Sequence, residues 1–267
     1  MLVSIAAIVV ALLVIVALNL PRGSSPGTGL VSPGPSAVAG GSGQTASPRP
    51  SSSGRPNSNV GAPGSLPSVN QPAVPVPASI PRNGRTLGAA AAPVALDVWA
   101  DFQCPACGTF SREVEPVLIQ RYVAPGKVRL TFHDFAFIGQ ESQDAASAAR
   151  CAGEQGKFWE YQTLVYANQQ GENRGWFSRS RLEAFAVAAG VDPAVWAPCY
   201  DGGSKRPAVA DETAVGRTAG VDSTPSLVLN GKLITLHSWA ELLTLLDGAI
   251  GAAASPGSTP SPVPTTP

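Results

Sequence analysis

Two of the four cysteines in this 267-residue chain lie three positions apart, in Cys104-Pro105-Ala106-Cys107, and this pair constrains the fold more than any other feature. The apolar run Val94 to Ala100 precedes it and is typical of a buried strand. After the pair, apolar residues from Phe110 to Ile119 recur at three- and four-residue spacings, which predicts a helix. Proline is favoured in the first turn of a helix, so Pro105 indicates where this helix begins. The pair is therefore predicted at the junction between a strand and a helix.

This position favours redox chemistry. The N-terminus of a helix supplies unpaired N–H groups and a positive dipole, and both stabilise a thiolate. A Cys-x-x-Cys pair is also half of many zinc sites, but a closed site needs two more ligands. Cys151 and Cys199 stand alone in the sequence, and His133 and His237 are single residues at ordinary strand positions. We therefore favour a redox pair over a metal site or two unreactive buried thiols.

The segment after this helix predicts a second strand and then a run of helices. Between Lys127 and Phe135 apolar and polar residues alternate, and Pro116 predicts a kink in the preceding helix. A strand, a helix and a second strand form a right-handed βαβ unit with a parallel strand pair. About residues 139–220 carry helical patterns only. The predicted helices span Gln143 to Gly153, Lys157 to Asn168, Ser180 to Gly190, Pro193 to Tyr200 and Arg206 to Gly220.

The chain then predicts a hairpin and a final helix. The apolar runs Ser226 to Leu229 and Lys232 to Leu236 flank Asn230-Gly231, and Asn-Gly between two such runs is the strongest local hairpin signal. A capping-box pattern starts the last helix at Ser238. The predicted order is βαβ, a helical insertion and ββα, which defines an α/β fold class.

Both ends of the chain differ in composition from this region. Leu2 to Leu20 is almost entirely apolar and long enough to cross a bilayer as a helix. Because no basic residue precedes it and no good cleavage site follows, we favour a membrane anchor over residues 1–20, with a signal peptide as the alternative. Residues 21–85 are rich in Pro, Gly and Ser, which predicts a disordered tether, and residues 252–267 predict a similar tail. The folded domain is predicted over residues 86–251.

The neutral net charge of the whole chain conceals two differently charged parts. The only charges in the tether are five arginines: Arg22, Arg49, Arg55, Arg82 and Arg85. Without these five, 13 basic and 18 acidic residues remain, so the domain carries a net charge of about −5. An acidic domain is a poor candidate for nucleic-acid binding, and we expect no nucleic-acid partner.

Three segments together resemble one known family. Cys104-Pro105-Ala106-Cys107 after an apolar strand, Thr224-Pro225 before a hairpin, and the stretch from Cys151 to Trp159 (CAGEQGKFW) are similar to DsbA-type thiol-disulfide oxidoreductases, above all to their membrane-anchored BdbD-like branch. The resemblance covers about residues 87–250. It implies a thioredoxin fold with an inserted helical domain, which agrees with the element order above.

The resemblance also implies a role for each of these residues. Cys104 would be the nucleophile that exchanges with substrate and Cys107 the resolving cysteine. Thr224-Pro225, with Pro225 in cis, would form one wall of the peptide-binding groove. Cys151 and Cys199 match the positions of a structural disulfide in the insertion, and two free buried thiols are the alternative. Because the redox-active disulfide itself does the chemistry in this family, we expect no cofactor and no metal.

Two positions depart from the family pattern. The archetypal member has a histidine inside its motif that helps make it a strong oxidant, whereas Ala106 offers no such help, so the direction of electron flow stays open. The fold also commonly has a buried acid six residues before the first cysteine, and this position is Val98 here. Asp97 and Asp101 are nearby candidates for proton transfer. The alternatives are that Asp97 faces away along the strand and that Asp101 is a solvated turn residue.

These features lead to one expected function. We expect a membrane-tethered, extracytoplasmic oxidase that introduces disulfides into reduced exported proteins and is reoxidised by a membrane partner of the DsbB or vitamin-K-epoxide-reductase type. Arg22 would favour a cytoplasmic domain by the positive-inside rule, but a permanently oxidised pair has little use in a reducing cytosol. The alternatives are a disulfide reductase or isomerase with the same site and a non-catalytic thioredoxin-fold binding module.

Overall fold

The computed structural model describes residues 66–71 and 75–254. The predicted anchor at residues 1–20, most of the predicted tether and the end of the tail lie outside these ranges. Within them, no helix combines the length and the apolar character that crossing a membrane requires.

The folded region begins earlier than the sequence predicts. We expected the tether to continue to Arg85, but Ile80 is only 3% exposed and residues 82–83 already form a strand. Arg82 pairs with Glu160 at 2.6 Å, and Arg85 pairs with Glu212. Because these two arginines are held by carboxylates of the domain, they belong to the folded part, and the boundary at residue 85 is too late.

In the part of the chain that the structure describes, six strands form one mixed sheet in the order β1-β2-β4-β3-β5-β6. The central strands β3 (Val94–Ala100) and β4 (Val128–Asp134) are parallel, as predicted, and every other neighbouring pair is antiparallel. The outer strands are β1 (Arg82–Asn83), β2 (Thr86–Leu87), β5 (Ser226–Leu229) and β6 (Lys232–Ile234). The hairpin of β1 and β2 was not predicted, because two-residue strands carry no detectable period.

The helix after β3 is interrupted rather than continuous. It consists of α1 (Pro105–Thr109), a π-helical turn (Phe110–Val114), α2 (Glu115–Leu118) and a second π-helical turn (Ile119–Val123). The N–H of Glu115 bonds to the carbonyl of Phe110, five residues earlier. Pro116 has no N–H for the carbonyl four residues before it, so the predicted disruption near this proline takes the form of wider turns.

Five helices form the insertion between β4 and β5. They are α3 (Gln140–Gly153), α4 (Phe158–Ala167), α5 (Arg179–Ala188), α6 (Pro193–Asp201) and α7 (Arg206–Thr218). Helix α3 contacts the other four, α7 also contacts β4, and α4 contacts α1. The aromatic rings of Phe102, Phe132 and Tyr166 stack between the sheet and this insertion. The insertion therefore packs against the strand-to-helix junction that carries the cysteine pair.

The C-terminal hairpin and helix follow the predicted pattern. Asn230 and Gly231 both have positive φ, 50° and 79°, as a two-residue turn between β5 and β6 requires. The last helix, α8 (Trp239–Ala253), begins after Ser238, whose side chain accepts a hydrogen bond from the N–H of Glu241. This helix runs past the predicted end of the domain at residue 251. The hairpin brings the loop before β5 beside β3 and the cysteines.

Candidate active site

The two cysteines of the motif lie at the N-terminus of α1, directly beyond β3. Cys104 is the N-cap residue, with an extended backbone before the helical turn. Its sulfur accepts a hydrogen bond from the N–H of Cys107 at 3.5 Å, and its thiol donates to the carbonyl of Thr224 at 3.2 Å. Both cysteines are free thiols, so the geometry is that of the reduced pair.

The surroundings of Cys104 stabilise its thiolate. The hydrogen bond from the Cys107 thiol is the largest influence and lowers the pKa of Cys104, whereas burial opposes this effect. The Thr224 side chain and the N–H groups of Cys107 and Ala106 lower the pKa further, to about 6. Ala106 thus acts through its backbone although its side chain is inert. Cys104 is therefore mostly ionised at neutral pH, in the form that attacks a disulfide.

Cys107 differs from Cys104 in the properties that control reactivity. It is 1% exposed, whereas Cys104 is 7% exposed and is followed by the exposed residues Pro105 and Ala106. Burial raises the pKa of Cys107 well above its ordinary value, and the hydrogen bond to Cys104 and its charge raise it further. Cys107 therefore remains a thiol at neutral pH unless a nearby group accepts its proton. The outer cysteine is placed to meet another protein, and the inner one is placed to react with Cys104.

The loop before β5 forms a second wall of the site. The peptide bond between Thr224 and Pro225 is cis, and the Thr224 carbonyl faces the Cys104 sulfur. Within residues 66–71 and 75–254, the buried Thr224 hydroxyl oxygen has no partner at hydrogen-bond distance. It still lies close enough to lower the pKa of both thiols. The structure thus brings together the four residues that the sequence assigned to the two sides of the site.

Gln169, which the sequence did not single out, holds the start of α1. Its side-chain amide donates to the carbonyls of Phe102 at 2.6 Å and Cys104 at 3.1 Å. This close approach requires a glycine at position 108, because a Cβ there would lie 2.0 Å from the Gln169 side-chain oxygen. Gln169 follows Cys104 by 65 residues, so no local pattern marks the contact.

Asp101 has a structural role in place of the predicted proton transfer. It is 1% exposed, not a solvated turn residue. Burial raises the pKa of its carboxyl group, while four hydrogen bonds to the carboxylate oppose that shift. The donors are the N–H groups of Gln103, Phe137 and Ile138 and the hydroxyl of Ser142. Since these donors saturate the carboxylate, Asp101 fixes the loop between β3 and α1 against the start of the insertion.

Asp97 lies on the opposite face of β3 from the cysteines, which corrects the prediction that it transfers protons there. Successive strand residues point to opposite faces, and the adjacent residue Val98 lines a cavity together with Cys107. The Asp97 carboxylate instead lies 3.3 Å from Nε2 of His133. The alternative that Asp97 faces away from the active pair along the strand describes its position correctly.

His133 and Asp97 belong to a half-buried charge cluster that the sequence did not reveal. We call it the Glu212 cluster, and its members are Arg85, Asp97, His133, Asp134, Arg150 and Glu212. Burial alone would lower the pKa of His133, but hydrogen bonds to Asp97 and Glu212 raise it to about 9. Burial alone would raise the pKa of Glu212, but His133 and Arg85 lower it to about 2. The cluster joins the β1–β2 hairpin, β3, β4, α3 and α7.

The other two cysteines form a disulfide away from this site. Cys151 in α3 and Cys199 in α6 are bonded, with 5.9 Å between their Cα atoms and 48 positions between them in sequence. This is the pairing that the family resemblance implied. In the described part of the chain, no group of three or more His, Cys, Asp or Glu residues is arranged to hold a metal ion.

The fold and the site define a class of protein: a thioredoxin-fold protein with a Cys-x-x-Cys pair at a helix N-terminus and a cis-proline loop facing it. Residues 81–248 match the family model described as Thioredoxin, which covers more than half of the chain. The chain therefore belongs to this thioredoxin family. The predicted thioredoxin fold with inserted helices is confirmed, and so is the resemblance to DsbA and BdbD proteins.

Individual relatives agree with this assignment. The chain is 37% identical over 100 residues to the "Probable disulfide bond formation protein D" of Bacillus cereus. These 100 residues are 37% of this chain and 46% of the relative. The match thus spans about half the length of that relative. The crystal structure of oxidised BdbD from Bacillus subtilis superposes with a TM-score of 0.59 at 20% identity, over 63% of this chain and 93% of BdbD. The crystal structure of DsbA from Chlamydia trachomatis superposes with a TM-score of 0.58 at 22% identity, over 64% of this chain and 93% of that DsbA. The two solved structures show a shared fold.

Proposed function

We propose that the chain is a thiol-disulfide oxidoreductase that introduces disulfides into exported proteins through Cys104 and Cys107. The observation that carries this proposal is the asymmetry of the pair: an outer cysteine with a pKa of about 6 and an inner one with a raised pKa. A stabilised Cys104 thiolate favours the reduced pair over the disulfide, so the oxidised protein readily gives its disulfide away. The names of the curated relatives agree with this direction.

The reaction proceeds by two exchanges. A substrate thiolate attacks the Cys104 sulfur of the oxidised protein, the bond to Cys107 breaks, and Cys107 leaves with the electron pair. A second substrate thiolate then attacks the substrate sulfur of the mixed disulfide and displaces Cys104. The substrate dithiol loses two electrons and becomes a disulfide, and the protein is left reduced. Cys104 is a good leaving group in the second exchange because its thiolate is stable at neutral pH.

The proposed location is the outer face of a membrane. Two observations support it: residues 2–20 form an apolar run of membrane-spanning length, and Cys151 and Cys199 are joined in a disulfide. Structural disulfides belong to oxidising compartments, and they are rare in the cytosol. The substrates would be unfolded or reduced exported proteins. A membrane redox partner of the DsbB or vitamin-K-epoxide-reductase type would restore the Cys104–Cys107 disulfide.

A trapping experiment tests the proposed activity. In a Cys107→Ser variant the mixed disulfide at Cys104 has no internal cysteine to resolve it, so we expect covalent complexes with exported proteins on non-reducing gels. The matched control is Cys104→Ser/Cys107→Ser, which keeps the fold and offers no reactive thiol. Exported proteins captured by the first variant and absent from the control support the proposal. A Cys107→Ser variant that captures nothing, in cells where the protein is present and folded, contradicts it.

The proposed location has its own test. A cysteine introduced at the exposed residue Lys232 would be labelled in intact cells by a membrane-impermeant maleimide if the domain is extracytoplasmic. Labelling only after the membrane is opened would place the domain in the cytoplasm and overturn the oxidase proposal, since the exported substrates would be out of reach. The same labelling on Cys104→Ser/Cys107→Ser removes any contribution from the active pair.

A further inference from the structure

A small cavity lies behind the cysteine pair, where β3 and β4 meet α4 and the interrupted helix. Its lining includes Cys107, Val98, Glu115, Gln162 and Trp159. Its volume is about 10 Å³, which is the room that the centre of one water molecule needs. The mechanism above uses Cys107 and none of the other polar groups that line this cavity.

Glu115 brings a carboxyl group into this largely apolar interior. The residue is 3% exposed, and its Oε2 accepts a hydrogen bond from the Gln162 amide at 3.0 Å. Its Oε1 has no hydrogen-bond partner in residues 66–71 and 75–254, and the same holds for Gln162 Oε1 and Trp159 Nε1. Three buried polar groups on residues that line a water-sized cavity match the number of hydrogen bonds that a buried water typically makes. The cavity therefore has room for one water molecule beside these three residues.

Two titratable residues besides Glu115 line the cavity, Cys107 on α1 and Tyr166 on α4. Burial raises the pKa of Glu115 to about 7, against hydrogen bonds from Gln162 and Ser111 that lower it. Burial also raises the pKa of Tyr166 well above its ordinary value, so this phenol stays neutral. The charges of Cys107, Asp101, Glu115 and Cys104 all act on Tyr166, so this phenol lies within electrostatic reach of both Cys107 and Glu115. Near neutral pH, Glu115 is the group among them that changes its protonation state.

We propose that Glu115 exchanges a proton with Cys107 through one water molecule in this cavity. When a substrate thiolate attacks Cys104 and the disulfide breaks, the Cys107 sulfur leaves with the electron pair and takes the proton of the Glu115 carboxyl group. In the reverse step, the Cys107 thiol gives its proton to the Glu115 carboxylate while its sulfur attacks the mixed disulfide at Cys104 and displaces the outer thiolate. The inference rests on the proposed disulfide exchange at this pair and supplies its proton route.

The test separates the two cysteines kinetically. The reduced full-length chain is mixed with dithiobis(nitrobenzoate): Cys104 attacks it and releases a first thionitrobenzoate, and Cys107 then attacks the mixed disulfide and releases a second. In the wild type, we expect the second step to accelerate as the pH rises through about 7 and Glu115 ionises. In Glu115→Gln, which keeps the side-chain shape, the second step slows by roughly 10²-fold at pH 8 and loses this inflection, since general base catalysis contributes on that scale. The first step keeps its rate.

Glu113→Gln is the matched control, because Glu113 lies two residues before Glu115, in the preceding π-helical turn, and is exposed. We expect both steps to stay unchanged in this variant. A second step with the same rate and pH profile in Glu115→Gln as in the wild type overturns the inference. Absence of the first step in the wild type would count against the proposed function instead, so the two failures are distinguishable.

A measurement on the wild type covers the case in which Glu115→Gln does not fold. Carbon NMR of the chain labelled at glutamate carboxyl groups should show one glutamate that titrates near pH 7. Its midpoint should differ between the disulfide and dithiol forms, because a nearby thiol gains or loses a proton only in the dithiol form. An unchanged midpoint in the two forms overturns the proposal.

Discussion

The four cysteines form two pairs that differ in spacing, bonding and surroundings. Cys104 and Cys107 are three positions apart at a helix N-terminus, and their thiols are free with opposite pKa shifts. Cys151 and Cys199 are 48 positions apart on two helices of the insertion, and they are bonded. Joining distant residues constrains the unfolded chain, whereas a bond between near neighbours constrains it little. One pair is therefore suited to hold the domain together, and the other is suited to open and close without unfolding it.

The largest expected effect is on exchange activity when the outer thiol is removed. Cys104→Ser should reduce the oxidation of a reduced peptide to the uncatalysed background, because a hydroxyl group does not exchange with disulfides. The melting temperature of this variant should stay close to that of the reduced wild type. Turnover that persists in Cys104→Ser would show that another group carries the exchange.

Removing the Cys151–Cys199 disulfide should have the opposite effect: stability should fall and exchange activity should stay. Cys151→Ser/Cys199→Ser should lower the free energy of unfolding by about 4 kcal/mol, as the chain-entropy model gives for a loop of this length. Denaturant unfolding of the variant and the wild type measures the difference. Exchange activity below the unfolding transition should remain close to that of the wild type. A loss of activity without a loss of stability would break the distinction between the two pairs.

The Glu212 cluster should contribute a separate part of the pH dependence of stability, through His133. The pKa of His133 is raised in the fold from 6.5 to about 9, so its charged form adds stability that is full below pH 6.5 and is lost as the pH rises through 9. Relative to His133→Gln, the wild type should lose roughly 2 kcal/mol of stability between pH 6.5 and 9.5. Denaturant unfolding at several pH values checks this.

Two further expectations help to interpret the comparison of wild type with His133→Gln. Glu212 has a lowered pKa of about 2, so its contribution is present above pH 4.5 and does not change in the same window. Exchange kinetics should follow the ionisation of Cys104 near pH 6 in both chains. Stability profiles of wild type and His133→Gln that run parallel from pH 6.5 to 9.5 would contradict the role assigned to the histidine.

The smallest expected effect concerns the loop that faces the active pair. Thr224→Val removes the hydroxyl group that lowers the pKa of Cys104 but keeps the carbonyl and the side-chain shape. We expect the pKa of Cys104 to rise only modestly, since the larger lowering influence, the Cys107 thiol, remains. Thiolate absorbance against pH measures the shift. A fall in the pKa, or a change in stability with no shift, would exclude the proposed contact.

The sequence predicted the features that depend on neighbouring residues. The strand-to-helix position of the cysteine pair, the Asn230-Gly231 hairpin and the helices of the insertion all rest on short-range patterns. The pairing of Cys151 with Cys199 came from the family resemblance, because four cysteines alone leave three pairings open. Local pattern and resemblance together were sufficient for the fold, the cysteine pair and the Thr224-Pro225 loop, but not for Gln169.

The features that were missed depend on contacts between distant residues. Arg85 looked like a charge of the tether because its partner Glu212 is 127 positions away. Asp101 was assigned to proton transfer from its proximity in sequence, yet the loop around it occupies its oxygens. Glu115 left one signal that was overlooked: a carboxylate among residues that face the core, next to a helix-disrupting proline.

The reduction potential of the Cys104–Cys107 pair tests the central claim most directly. Equilibration of the full-length chain with glutathione buffers, followed by thiol trapping, measures it, and Cys151→Ser/Cys199→Ser controls for the second disulfide. Because the Cys104 thiolate stabilises the reduced pair, we predict a potential above about −230 mV, between those of thioredoxin and DsbA. A potential at or below about −270 mV, the value of thioredoxin, would contradict the account and identify the pair as a reductant.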